Sequence, residues 1–140
     1  MPWVVALTDD QRLRFRERGH LLAASLLQHL DATEPDVASH HLKEAAGTAA
    51  DYGNVAAGLG LSLSQTVESF LRFRTPFHQE LAIVARRRGF DTVETTGLLG
   101  AAERAMDRLL VATMTGHSLA TGRAGRKAAA PAQPRGARIR

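Results

Sequence analysis

One start signal, repeated along the chain, limits what this sequence can become. Thr8 and Gln11, Ser62 and Gln65, and Asp91 and Glu94 each pair an oxygen-bearing residue with a Gln or Glu three positions later. At that spacing the first side chain accepts from the backbone N–H of the second residue, whose own side chain reaches back, so two orphan donors of a helix's first turn are satisfied together. Behind each signal the apolar residues recur three or four apart, the period of one helical face. After Thr8 they are Phe15, Gly19, Leu22, Ala23, Leu26, Leu27 and Leu30, which predicts a first helix ending near Leu30. After Ser62 come Val67, Phe70, Phe73, Phe77, Leu81 and Val84, the strongest stripe in the chain. After Asp91 come Leu98, Leu99, Ala102, Ala105, Met106, Leu109, Leu110 and Thr113, in a helix predicted to fade near Leu119.

A further helix is predicted to open at Thr33, ahead of Glu34, Pro35 and Asp36, since acids suit the positive end of the helix dipole and proline is tolerated in the first turn. Its inner face is Ala38, Leu42, Ala45, Ala49, Tyr52 and Ala56, and these small side chains, with Gly47 and Gly53, let a neighbouring helix approach closely. Gly58 and Gly60 mark its end, and Gly89 suits a left-handed closing position after Arg88. Pro76 lies inside the strongest stripe, where it removes a donor and crowds the preceding turn, so that helix is expected to kink or break near Arg74 and Thr75. No strand-like alternation and no fixed-period repeat occurs. The expected fold is all-α, a bundle of four to five helices with a Pro-kinked core helix and a disordered C-terminal tail.

A chain of 140 residues suffices for one domain with its own core. The expected division is an N-terminal extension over 1–7, a helical domain over 8–120 and a basic tail over 121–140. The net charge of +4 belongs to the tail. Arg123, Arg126, Lys127, Arg135, Arg138 and Arg140 lie there with no acid, which leaves the preceding residues slightly acidic. No apolar side chain larger than alanine precedes Ile139 in the tail, so burial cannot offset the entropy of ordering. Those six cations predict salt-sensitive, non-specific binding to nucleic acid or another acidic partner, without base stacking because no aromatic residue is interleaved.

The absence of cysteine excludes disulfides, thiolate metal sites and a cysteine nucleophile, and it fits a reducing compartment. MPWVVALTDD has too short an apolar stretch, and no basic flank, for a secretory signal, and LLAASLL is far shorter than a bilayer span. A cytoplasmic location with no membrane association is expected.

Glu17 with His20, and His40 with Glu44, have carboxylate–histidine spacings, but a di-iron site needs a second Glu-x-x-His pair and two further glutamates. No metal and no cofactor are therefore assigned. His78, one turn after Arg74 and just beyond Pro76, invites a haem-sensor reading as an alternative. With Tyr52 and Phe73, the same Arg74 and His78 form the candidate ligand-binding set, because a proline bend opens space between helices. No nucleophile elbow, HExxH or phosphate loop occurs, so no catalytic residue is assigned and the chain is read as a non-enzyme.

Residues 51–90, DYGNVAAGLGLSLSQTVESFLRFRTPFHQELAIVARRRGF, carry the pattern YG…A…GLSL…V..F..FR.P with an ARRRG ending. In this, and over about residues 10–118, the chain resembles the helical sensor and dimerisation region that follows the DNA-binding head of bacterial excisionase-like or MerR-like helix-turn-helix regulators. The resemblance departs in one respect, since too few residues precede the first helix for such a head. It implies a regulatory module in transcriptional control that senses a signal or pairs with a second copy or a regulatory protein; any small-molecule effector is expected at the Pro76 bend, because of the space such a bend opens. The small-residue face of the second helix and the broad apolar face of the last are the expected pairing surfaces.

Overall fold

The same six-residue corner is used twice. In GLSLSQ and GFDTVE, a glycine ends one helix, an apolar residue follows, and a capping pair starts the next. Gly60 and Gly89 take φ values of +83° and +72°, a region in which a Cβ would be strained. Each lets the following residue, Leu61 or Phe90, donate back to the Ala56 or Ala85 carbonyl at 3.0 Å, which closes the helix end. The next residue then caps: Ser62 and Asp91 accept from the Gln65 and Glu94 backbones at 3.1 and 2.7 Å, and both long side chains return the bond. Thr8 and Gln11 make the same reciprocal pair.

The computed structural model describes residues 8–129, with side chains except those of residues 15, 124 and 126–129. Among them are four helices and no strand: α1 (Asp9–Asp31), α2 (Pro35–Gly58), α3 (Leu63–Arg87) and α4 (Thr92–Ala129). The all-α bundle expected from the sequence is the fold, with three corrections. Glu34, not Thr33, occupies the position before α2, and no side chain caps it, because Pro35 at the first helical position has no N–H to satisfy. Next, α3 runs through Pro76 without a break. Pro76 is exposed, so the carbonyl four residues earlier can turn to water, while Phe70 on one side and Phe77 and Leu81 on the other anchor both halves in one core. Last, α4 continues nine residues past the boundary expected at 120. Alanine, arginine and lysine favour helix intrinsically, and Arg123 donates to Asn54 of α2 at 3.4 Å. Residues 130–140 lie outside the described residues.

Adjacent helices in sequence run antiparallel, so α2 and α4 are parallel, as are α1 and α3. The most extensive packing joins α2 to α4, followed by α1 to α2 and α3 to α4. Around the bundle the order is therefore α1, α2, α4, α3. The core contains Leu22 and Leu26 of α1, Ala45 and Ala49 of α2, Phe70, Phe77 and Leu81 of α3, and Ala102, Ala105, Met106 and Leu109 of α4. Two glycines set the α2–α4 distance. A Cβ on Gly53 would lie 2.0 Å from the Thr113 carbonyl oxygen, and one on Gly116 would lie 2.0 Å from that of Ala50. Beside this contact His117, buried, donates from Nε2 to the Leu61 carbonyl at 2.7 Å and ties α4 to the corner between α2 and α3.

This packing uses the surfaces from which pairing was expected. Ala45, Ala49 and Ala56 of α2 and Leu109 of α4 are fully buried, and Leu98, Leu99 and Leu110 lie partly buried against the same core. Among the described residues, no helix is long and apolar enough to cross a membrane.

Candidate functional site

Among the described residues, an apolar concavity lies between α1 and α3. These parallel helices meet at their C-terminal ends, where Arg88 donates to Asp31 at 3.1 Å, but they pack on α2 and α4 rather than on each other. Above Leu22 and Leu26 they leave a groove of about 530 Å³, floored by Phe77 and Leu81 and walled by Ala23, Leu27, Phe73, Pro76 and Val84. Its two ionisable lining residues, His20 on α1 and Glu80 on α3, are exposed. The volume falls in the range of small-molecule sites, and the mix of apolar walls with a few polar groups is their usual composition. Proline contributes directly: Pro76 offers the groove a flat apolar ring, and no backbone N–H at that position needs a partner.

The four residues proposed from sequence for ligand binding occupy different places. Phe73 lines the groove, its ring centroid 5.7 Å from that of Phe77. Arg74, one position on, faces α4 and pairs with Glu103 and Asp107, each at 3.5 Å. His78 donates from Nδ1 to the Arg74 carbonyl at 3.2 Å within its own helix. Tyr52 is buried between α2 and α3, with its hydroxyl bonded to Ser69. Phe73 alone of the four lines the groove, and Arg74, His78 and Tyr52 line none of the described cavities. Of the six basic residues proposed to contact an acidic partner, Arg123 bonds to Asn54, the side chains of Arg126 and Lys127 lie outside the described ones, and Arg135, Arg138 and Arg140 lie outside the described residues. His40 and His41 both reach Glu44, at 3.3 and 3.1 Å, on the surface of α2. No group of three or more histidine, aspartate or glutamate side chains among the described residues is placed to hold a metal ion.

Burial pushes the Tyr52 phenol above its ordinary 10.0, and the Ser69 hydrogen bond acts the other way. The folded state therefore retains a proton that the unfolded chain releases. The stabilisation this gives is complete below the unfolded value and is lost as pH rises through the folded one. Tyr52 is the only tyrosine in the chain, so phenolate absorbance reports it alone. It is expected to ionise above pH 10.0, in step with loss of helical signal. Tyr52→Phe is expected to cost about 1 kcal/mol at neutral pH through the lost hydrogen bond and to remove this alkaline sensitivity. Ionisation at the free-tyrosine value with the helices intact would contradict the burial.

No protein-family model, no curated protein and no solved structure matches this chain.

Proposed function

We propose that this protein is a non-catalytic regulatory module, acting in transcriptional control through what it binds in the α1–α3 groove. One observation carries the reading: among the described residues, the packed helices leave between α1 and α3 a concave, mainly apolar groove with Pro76 in its wall. The groove takes over the role expected of the α2 and α4 faces, whose side chains are buried within the chain. The likeness of residues 51–90 to the sensor regions of bacterial regulators supports the regulatory context.

The uncharged apolar dye Nile red tests the groove directly. The native chain is expected to bind it at one saturable site. Leu27 lines the groove and is 42 % exposed, so Leu27→Glu places a charge there without burying it in the core. That variant is expected to weaken dye binding by about tenfold, which corresponds to about 1.4 kcal/mol, with an unchanged thermal midpoint. Binding to the native chain that Leu27→Glu leaves intact would place the site elsewhere and overturn this reading.

A further inference from the structure

We propose that the α1–α3 groove selects hydrophobic cations: compact aromatic or aliphatic molecules with one positive charge, held at Glu80 beside the ring of Phe77. This rests on the groove being the binding site and names the chemistry of what it binds. The first observation is charge. The lining holds one carboxylate, Glu80, and one imidazole, His20, and the rest of it is apolar. Among the described residues Glu80 has no hydrogen-bond or ion-pair partner, His20 included.

The basic residues of the neighbourhood are matched elsewhere or stand outside the walls. Arg74 is held by Glu103 and Asp107 of α4, and Arg88 by Asp31. Arg72 lines a shallow depression that shares no lining residue with the groove. Arg16 lies one turn before His20 and Arg87 one turn after Val84, and neither lines the groove.

The second observation is position. Glu80 stands one turn beyond Phe77 on α3, so the two side chains are neighbours on one face of the helix. Phe73 and Phe77 also line the groove, with ring centroids 5.7 Å apart. An aromatic face attracts a cation that lies within about 6 Å of its centroid, so the rings and the carboxylate act on the same charge.

Desolvation then discriminates between ligands. Glu80 is exposed, so its charge costs the fold nothing, and it is the arriving ligand that strips its water. A neutral ligand over Phe77 leaves the carboxylate partly desolvated without compensation, and an anion adds repulsion. A cation replaces the lost water with an opposite charge, and over the apolar floor of Phe77 and Leu81 that attraction is screened less than in open solvent. The volume of about 530 Å³ admits one drug-sized molecule of this kind.

Tetraphenylphosphonium and tetraphenylborate match in size and shape and differ in the sign of their charge. Each is titrated against the full-length chain carrying bound Nile red, at about pH 8.5, where ordinary imidazoles are neutral. Tetraphenylphosphonium is expected to displace the dye at about tenfold lower concentration than tetraphenylborate. Glu80→Gln is expected to remove most of that preference while leaving dye affinity and the thermal midpoint as in the native chain. Asp36→Asn, which removes one charge from the exposed start of α2, is expected to preserve it. Displacement by both ions at equal concentration, or by tetraphenylborate at the lower one, overturns the cation selectivity and leaves the groove standing as an apolar site. A preference that survives Glu80→Gln in full also overturns it, because the selecting charge then lies elsewhere. Failure of the dye and of both ions to bind the native chain removes the groove's binding role, and the selectivity with it.

Discussion

Gly116→Ala is expected to lower stability by about 3 kcal/mol or more, whereas Gly47→Ala is expected to raise it by up to about 1 kcal/mol. Both glycines are in helices, where alanine is intrinsically preferred, so the local term favours the substitution at each. What differs is the space. At Gly116 the added carbon would lie 2.0 Å from the Ala50 carbonyl oxygen and 2.7 and 2.8 Å from that residue's C and Cα, all backbone atoms that cannot rotate away. Relief requires α2 and α4 to separate, which loosens the most extensive interface in the molecule. Around Gly47 nothing lies within 4 Å, so only the propensity gain remains. Gly53→Ala should resemble Gly116→Ala, since its added carbon meets the Thr113 carbonyl oxygen and the His117 nitrogen. Urea unfolding of the three single variants measures this directly. A Gly116→Ala protein as stable as the native one would show that the helices are farther apart than described.

Phe70→Ala is expected to cost about 3 to 5 kcal/mol, the range for removing a buried aromatic ring and leaving its cavity. Phe70 is 1 % exposed and belongs to the core cluster to which all four helices contribute, with its ring centroid 6.1 Å from that of Phe73. Domains of this kind are stable by only about 5 to 15 kcal/mol in total, so the loss would leave part of the population unfolded at ambient temperature. The adjacent Leu71 provides the contrast. At 44 % exposure its replacement by alanine should change stability by no more than about 0.5 kcal/mol. If the two variants unfolded alike in a thermal scan, the inner face of α3 would have been assigned to the wrong side.

Gly47 and Gly53 were expected together to admit a neighbouring helix; Gly53 does so, Gly47 stays open, and the partner on α4 is Gly116. A signal for Gly116 was present, since a glycine deep inside a helical run costs stability unless space demands it. The starts of α1, α3 and α4 were legible because a capping box is complete within four residues. The positions of Leu22, Leu26, Phe70, Phe77, Leu81 and Leu109 in the core followed from their period. Pro76 misled because its local penalty is real, while the packing that holds α3 together on both sides of it is contributed by other helices. The groove was hidden for the same reason. Leu27, Phe73 and Val84 read as core residues in their own stripes, and only the placement of α1 beside α3 determines that they line a groove. Phe73, Arg74 and His78 all lie near Pro76 along the chain, but successive residues of a helix point about 100° apart, so Phe73 and Arg74 face different neighbours.

The glycine contact between α2 and α4 also bears on the order of assembly. Two helical hairpins, α1 with α2 and α3 with α4, are each closed by a short turn and are cheap to form. The seam between Gly53 and Thr113 joins segments separated by the whole of α3, and its chain-entropy cost is met only when the hairpins dock. Residues of that seam should therefore acquire their native contacts late, so that perturbing them mainly accelerates unfolding and leaves the folding rate nearly unchanged. The place where the two backbones come closest would then be the first to part.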